Sequence, residues 1–341
     1  MELEDLIIKD LRIPESLIRE ALTNSRRQVK IFTIPKRDGG KRIIHHPSRR
    51  LKTIQYWLIQ NIFKYITISE HAAAYREGQS IVDNAKKHLD NSLFIKTDLE
   101  NFFPSITYKD FRPYLADWHK QANPAWQLNS KAENLINQVC FYKNDSLVIG
   151  YPCSPVISNI VMRDFDERLF SKLKAVGAKD TKYSRYADDI IVSSKSKSKS
   201  KELFSILSKE ISSCTSPNIK INQNKTRFGS SLSGTAFVTG LKITHDRRII
   251  VRKDYKDQLR LLLSLANKGK LSTADYQKTL GHLNYVRHVD PALFNKLTTK
   301  HFKEVESIKA FLAAQENLAS LDSAIKSAIS TPQTGAKITK P

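Results

Sequence analysis

Lys182-Tyr183-Ser184-Arg185-Tyr186-Ala187-Asp188-Asp189-Ile190-Ile191-Val192-Ser193 is the stretch whose pattern decides this chain. Aromatic and β-branched residues flank a small residue and two acids, the pattern of a strand, a tight turn and a returning strand. Adjacent carboxylates repel each other, and a turn needs only one of them. Both are understandable where a divalent cation neutralises them, because Mg²⁺ binds through one or two carboxylates together with substrate phosphates. A solvated Asp-Asp turn has the same letters, so Tyr186–Asp189 needs support from elsewhere in the chain.

Asp98 supplies that support. Ser92-Leu93-Phe94-Ile95-Lys96-Thr97-Asp98 is a short β-rich run that ends on a carboxylate far upstream of Asp188. A strand-end acid brought beside a hairpin acid makes the carboxylate pair of two-metal in-line phosphoryl transfer. One ion would lower the pKa of an attacking hydroxyl, and the other would stabilise a departing pyrophosphate.

The charge balance agrees. Among 341 residues, 56 Lys and Arg face 34 Asp and Glu, a formal net charge of +22. Such an excess self-repels and implies a polyanionic partner. No apolar run approaches the roughly 18 residues of a spanning helix, so nucleic acid is favoured over a membrane. At 40% hydrophobic and 26% charged residues, the composition is that of a folded protein rather than a disordered one. Cys140, Cys153 and Cys214 lack C-x-x-C spacing, which argues against a disulfide framework or a zinc site. Met1-Glu2-Leu3-Glu4-Asp5 is acidic where a signal peptide is basic, so a cytoplasmic protein is expected.

Around these acids the chain divides readily. Residues 1–28 read as a helical extension, with Pro14 opening its second helix. Val29–Ile34 and Arg42–His45 form a strand pair across Arg37-Asp38-Gly39-Gly40, with Lys36, Arg37, Lys41 and Arg42 at the tip. Thr107 and Asp110 have capping-box spacing. Ser154-Pro155 reads as cap and first helical residue, followed by apolar positions at helical spacing to Leu169. Lys195–Lys201 reads as a solvated loop. From 246 to 329 the pattern is helical, with starts at Ser272 and at Asp290-Pro291, and residues 330–341 read as a disordered tail.

Taken in order, these segments resemble the blocks of reverse transcriptases over roughly residues 30 to 245. Phe32–Pro47 is similar to the first block, in the fingers, and Tyr75-Arg76-Glu77-Gly78-Gln79-Ser80 to the second. Asp98–Ser105 resembles the palm block with the first aspartate, and Gly150-Tyr151-Pro152-Cys153-Ser154-Pro155 the block beneath the nucleotide. Tyr186–Asp189 looks like the Y-x-D-D box, and Asn222-Gln223-Asn224-Lys225-Thr226 and Val238–Leu241 follow in the expected order. Asn84-Ala85-Lys86-Lys87-His88 matches the N-A-x-x-H element of the bacterial retron enzymes, and Val238-Thr239-Gly240 their V-T-G element. Read alone, Asn84 and His88 are equally a locally satisfied helix-face pair, and Thr239-Gly240 a turn.

The resemblance implies an α+β right-hand polymerase with fingers, an antiparallel-sheet palm and a helical thumb. The fingers and palm would occupy residues 29–245 and an RNA-binding thumb residues 246–329. It implies that Asp98, Asp188 and Asp189 are metal carboxylates for two Mg²⁺ ions (or Mn²⁺), with Asp189 contributing mainly charge. Phe103 would be the aromatic gate that rejects a ribose 2′-OH, with Phe102 as the core ring. Arg42, Lys36 and Arg37 would clamp the triphosphate, Gly150 would lie against the nucleotide, and Lys225 would neutralise or protonate pyrophosphate. Asn84, His88, Val238, Thr239 and Gly240 would serve RNA binding. The implied partners are deoxynucleotides, a cognate structured non-coding RNA and an effector protein, with a branched RNA-linked DNA as product and antiphage defence as its use. Ile149 departs from the family's usual Gln, and Ala74-Tyr75 from the more usual Gly-Phe. The alternatives are another bacterial reverse transcriptase, defence-associated or group II intron-like, and an RNA-binding polymerase scaffold with weakened catalysis, which Ile149 leaves open.

Overall fold

Two strands, β1 (Val29–Pro35) and β2 (Lys41–Pro47), pair antiparallel with Val29 opposite Pro47 and Pro35 opposite Lys41. Ile31–Ile34 and Ile43-Ile44 supply their apolar and β-branched residues, and the pair is exposed along most of its length. The computed structural model describes residues 1–36, 39–176 and 179–329, with side chains to residue 315 except at 197 and 273. Arg37 and the tail 330–341 therefore lie outside the described residues.

The central sheet is antiparallel. It combines β3 (Leu93–Asp98), β4 (Lys182–Tyr186), β5 (Asp189–Ser194) and β6 (Arg227–Ser230) in the order β4-β5-β3-β6. β3 and β5 are buried along nearly their whole length, which is why Leu93-Phe94-Ile95 and Ile190-Ile191-Val192 are continuously apolar rather than alternating. Two shorter strands, β7 (Phe237–Val238) and β8 (Leu241–Ile243), pair across Thr239-Gly240.

Helices pack around the sheet: α1 (Leu3–Leu11), α2 (Glu15–Thr23), α3 (Arg49–Asn61), α4 (Ile81–Lys86), α5 (Tyr108–Ala122), α6 (Ser130–Cys140), α7 (Cys153–Val161), α8 (Arg163–Val176) and α9 (Ser200–Ser213). Residues 1–28 do not form an appendage. Leu3, Ile7, Ile18 and Leu22 join the same core as Leu51, Ile136 and Phe165, and Trp57 Nε1 donates to Asp10 at 3.0 Å. At α5 the expected capping box is present, with Thr107 Oγ1 donating to Asp110 at 2.7 Å. The expected start at Ser154-Pro155 is not. α7 begins at Cys153, and the Ser154 hydroxyl donates instead to the Val148 carbonyl at 2.8 Å. The apolar run to Leu169 is two helices rather than one, interrupted at Met162.

The chain forms two compact units, residues Met1–Arg248 and a second beginning at Ile249. The second contains the short strand Ile249–Ile250 (β9) and helices α10 (Lys253–Asn267), α11 (Thr273–Val289), α12 (Pro291–Lys300) and α13 (Phe302–Ile329), which pack on one another. Asp290 caps α12 by accepting from the Leu293 N–H at 3.2 Å, as the Asp-Pro pair predicts. No described helix is long and apolar enough to cross a membrane.

Candidate active site

The register of β3 on β5 assembles the acids. Asp98 lies opposite Asp189, and the Leu99 N–H donates to the Asp188 carbonyl at 2.9 Å. A third segment joins them, because the Asn222 N–H donates to the Asp98 carbonyl at 2.8 Å. That contact brings Lys225 over the strand end, where its Nζ donates to Asp98 Oδ2 at 3.1 Å. Ala187 turns the hairpin in the left-handed region, at φ 57°. The result is a cavity of about 830 Å³ lined by Asp98, Asp188, Lys225, Arg42, Lys36, Phe103 and Ile149.

Electrostatics mark the same pair. Burial, and after it the charge of Asp98, raise the Asp188 carboxyl above the ordinary carboxylate range. Two acids sharing one site disfavour their joint ionisation, and a cation between them removes that cost. Among the described residues no group of three or more His, Cys, Asp or Glu side chains gathers to hold a metal. Asp98 and Asp188 nevertheless offer hard oxygens beside an open cavity, which fits an ion that takes one or two carboxylates and completes its shell with phosphates and water.

The reverse transcriptase family model, described as "Reverse transcriptase (RNA-dependent DNA polymerase)", matches residues 34–281. The Escherichia coli "Retron Ec73 reverse transcriptase" is 39% identical over 285 residues, covering 82% of this chain and 89% of that protein. The chain belongs to the retron reverse transcriptases. The E. coli "Retron Ec83 reverse transcriptase" is 33% identical over 294 residues, covering 83% of this chain and 90% of that protein. Among solved structures, the Candida albicans telomerase in complex with a fragment of telomeric RNA is similar with a TM-score of 0.48 and 14% identity, over 88% of this chain and 57% of that one. As a member of this family the chain is an RNA-directed DNA polymerase, in a family that uses divalent metal ions, and its helices and antiparallel sheets give the α+β fold of that family.

Within the enzyme, some of the expected residues come together and others do not. Asp98, Asp188, Phe103, Arg42, Lys36 and Lys225 share the cavity. Phe102 is buried beside Arg185 and Phe103 is half-buried, and both rings line the cavity. Asp189 stands apart. Its carboxylate accepts from Lys96 Nζ at 2.8 Å, two residue pairs down the sheet, and it does not line the cavity.

Gly150 lies at a close approach of two main-chain segments. The His45 N–H donates to the Ile149 carbonyl at 2.8 Å, and a Cβ on Gly150 (φ 111°) would meet the His45 carbonyl oxygen at 2.4 Å. Gly150 is therefore where β2 closes against the main chain, and the cavity wall at this point is the Ile149 side chain.

The N-A-x-x-H and V-T-G elements turn most of their side chains inward. Asn84, His88 and Val238 are buried. His88 is clamped between Ser193 Oγ at 2.7 Å and Ser184 Oγ at 2.8 Å on the central sheet, which leaves no ring nitrogen for RNA. Thr239 Oγ1 donates to the Ile81 carbonyl at 3.2 Å, so the two elements brace each other. Gly240 alone of the five is exposed. Periodicity could not reveal this, because partners from β4 and β5 lie about a hundred residues away in sequence.

Tyr75 was missed as a site residue. It lines the cavity with a left-handed backbone (φ 59°), and burial and the nearby Asp188 charge raise its hydroxyl pKa. The only sequence signal was its place at the head of the second block.

Proposed function

We propose that this enzyme copies a cognate structured non-coding RNA into DNA at the Asp98–Asp188 cavity, using two Mg²⁺ ions (or Mn²⁺) held by those carboxylates. The observation that carries the reading is the shared cavity itself: two acids, the Lys225 ammonium on Asp98, and the cations Arg42 and Lys36 facing them. Bound ions supply Lewis-acid activation of the primer hydroxyl and charge neutralisation at the leaving pyrophosphate.

The side chains do the rest. Arg42 and Lys36, with Arg37 beside them in sequence, hold the triphosphate. Phe103 bounds the sugar and rejects a 2′-OH. Lys225 shifts its ammonium from Asp98 to the departing pyrophosphate, as a charge or as a general acid. Asp189, paired with Lys96, contributes charge to the site from outside the cavity. The unit from Ile249 to residue 329 acts as the thumb and grips RNA stems by shape and 2′-OH contacts, as double-helical RNA demands. The braced N-A-x-x-H and V-T-G elements shape the surface for that RNA rather than touching it through their buried side chains.

In the cell we assign priming from a guanosine 2′-OH, a branched RNA-linked single-stranded DNA product, a cytoplasmic location and, with an effector protein, a role in antiphage defence. Expression of the chain with its flanking upstream DNA tests this. The expected result is a short DNA whose electrophoretic mobility changes on ribonuclease and on debranching treatment. DNA synthesis on a supplied RNA template without any such branched product would overturn the retron assignment and leave the polymerase.

A further inference from the structure

Arg185 plays no part in the site described so far, yet it sits in the strand that delivers Tyr186–Asp189. Its side chain is fully buried. Nε donates to Asp166 Oδ1 at 2.9 Å and Nη2 to Asp166 Oδ2 at 2.7 Å. Nη1 donates to Asn159 Oδ1 at 3.2 Å and to the Ala187 carbonyl at 3.3 Å. The same residue anchors a second segment through its main chain: its N–H donates to the His71 carbonyl at 2.9 Å, and its carbonyl accepts from the Ala73 N–H at 2.7 Å. Asn159 Nδ2 extends the network to the Ala74 carbonyl at 2.8 Å, one residue before Tyr75.

A buried ion pair is weak evidence for stability, since apolar side chains of similar volume often do as well. What an arginine adds is a rigid planar fork, in which two nitrogens engage a carboxylate and the third is left to fix another acceptor. Here that acceptor is the carbonyl of Ala187, a non-glycine residue held in the left-handed region. Such a conformation is costly and persists only where its surroundings over-determine it. The next residue is Asp188.

We propose that Arg185, anchored by Asp166, is a positioning residue: it holds the Ala187 carbonyl so that the strained turn presents Asp188 beside Asp98, and through Asn159 it fixes the segment that carries Tyr75. This rests on the reading of Asp98 and Asp188 as the metal pair.

The test compares Arg185→Lys with Tyr183→Phe. Tyr183 donates to the same Asp166 oxygen at 2.7 Å but does not bond the turn, so its loss disturbs the network without releasing Ala187. Mn²⁺ affinity is read by electron paramagnetic resonance without turnover, beside kcat, KM for dNTP and Tm. In Arg185→Lys, Mn²⁺ affinity and kcat should both fall roughly 10–100-fold, with KM at saturating metal moving about twofold or less. Tyr183→Phe should lower Tm and leave Mn²⁺ affinity as in the parent. Should Arg185→Lys not fold, Arg185→Gln with Asp166→Asn, which removes both buried charges together, carries the same expectation. Parent-like Mn²⁺ affinity in a folded Arg185 variant, or an equal loss in Tyr183→Phe, would overturn the proposal. Asp188→Asn run alongside separates the two ideas: if it still binds Mn²⁺ and polymerises, the metal-pair reading is what has failed.

Discussion

Lys225 Nζ rests on Asp98 Oδ2 at 3.1 Å, so a cation is parked on one of the two acids that line the cavity. Asp98 is buried in this arrangement and Lys225 is half-exposed, which leaves the ammonium able to move from the acid to an incoming polyanion. Lys225→Met should reduce kcat by roughly 10²-fold or more if the ammonium acts as general acid, with a much smaller change in dNTP KM. Single-nucleotide incorporation under single-turnover conditions measures it. A parent-like rate would restrict Lys225 to holding the nucleic-acid backbone.

The two adjacent aspartates should not be equivalent. Asp188 lines the cavity, whereas Asp189 is paired with Lys96. Asp188→Asn removes metal-held charge worth about 4 kcal/mol or more, roughly a 10³-fold loss of rate. Asp189→Asn should cost about tenfold, because Asp189 acts on the ions only through space. Primer extension on a defined RNA template compares them, and equal losses would place Asp189 in the metal shell.

Phe103 bounds the cavity on the sugar side of this reading. Phe103→Ala should raise the rate of ribonucleotide incorporation while deoxynucleotide incorporation is retained. The ratio of kcat/KM for dNTP and NTP is the measurement, and an unchanged ratio removes Phe103 from the gate.

His88 makes stability fall in acid. Burial pushes its imidazole down to about 3 from an ordinary value near 6.5. The folded state therefore requires the neutral ring, while the unfolded chain binds a proton as pH drops below about 6.5. The stabilisation is complete above that value and is lost progressively between about pH 6.5 and 3. Between pH 6.5 and 5 the loss from this group is about 2 kcal/mol. Urea unfolding across that range should show the slope, and His88→Gln should flatten it at a lower absolute stability. An identical slope in the variant would show that other groups set it.

Gly150→Ala should loosen the junction between β2 and the block that begins at Gly150. The added Cβ meets the main-chain oxygen of His45, which cannot swing away as a side chain would, and the positive φ adds strain. A loss of about 2 kcal/mol or more is expected, with a rise in dNTP KM as Arg42 on β2 shifts. Thermal unfolding and steady-state kinetics check both, and a variant with parent-like Tm would mean that the junction is already loose in solution.

The sequence by itself determined the parts that depend on local chemistry. Asp98 at the end of an apolar run, the Tyr186–Asp189 hairpin, the Thr107–Asp110 capping box and the excess of cations follow from neighbouring residues and from composition, so they were legible before any contact was known. So was the order of the blocks. The tertiary structure alone decided what each of these residues touches. It turned Asp189 to Lys96, made Gly150 a close main-chain approach, buried His88 between two serines of the sheet and set Tyr75 in the cavity wall. Arg185 belongs to this group as well: in sequence it is one more cation among 56 Lys and Arg, and in the fold it lies buried behind the turn that carries Asp188. The reason is physical. A residue's preference for strand, turn or cap is set within a few positions along the chain, whereas its hydrogen-bond partner and its burial are set by segments that meet only when the sheet closes.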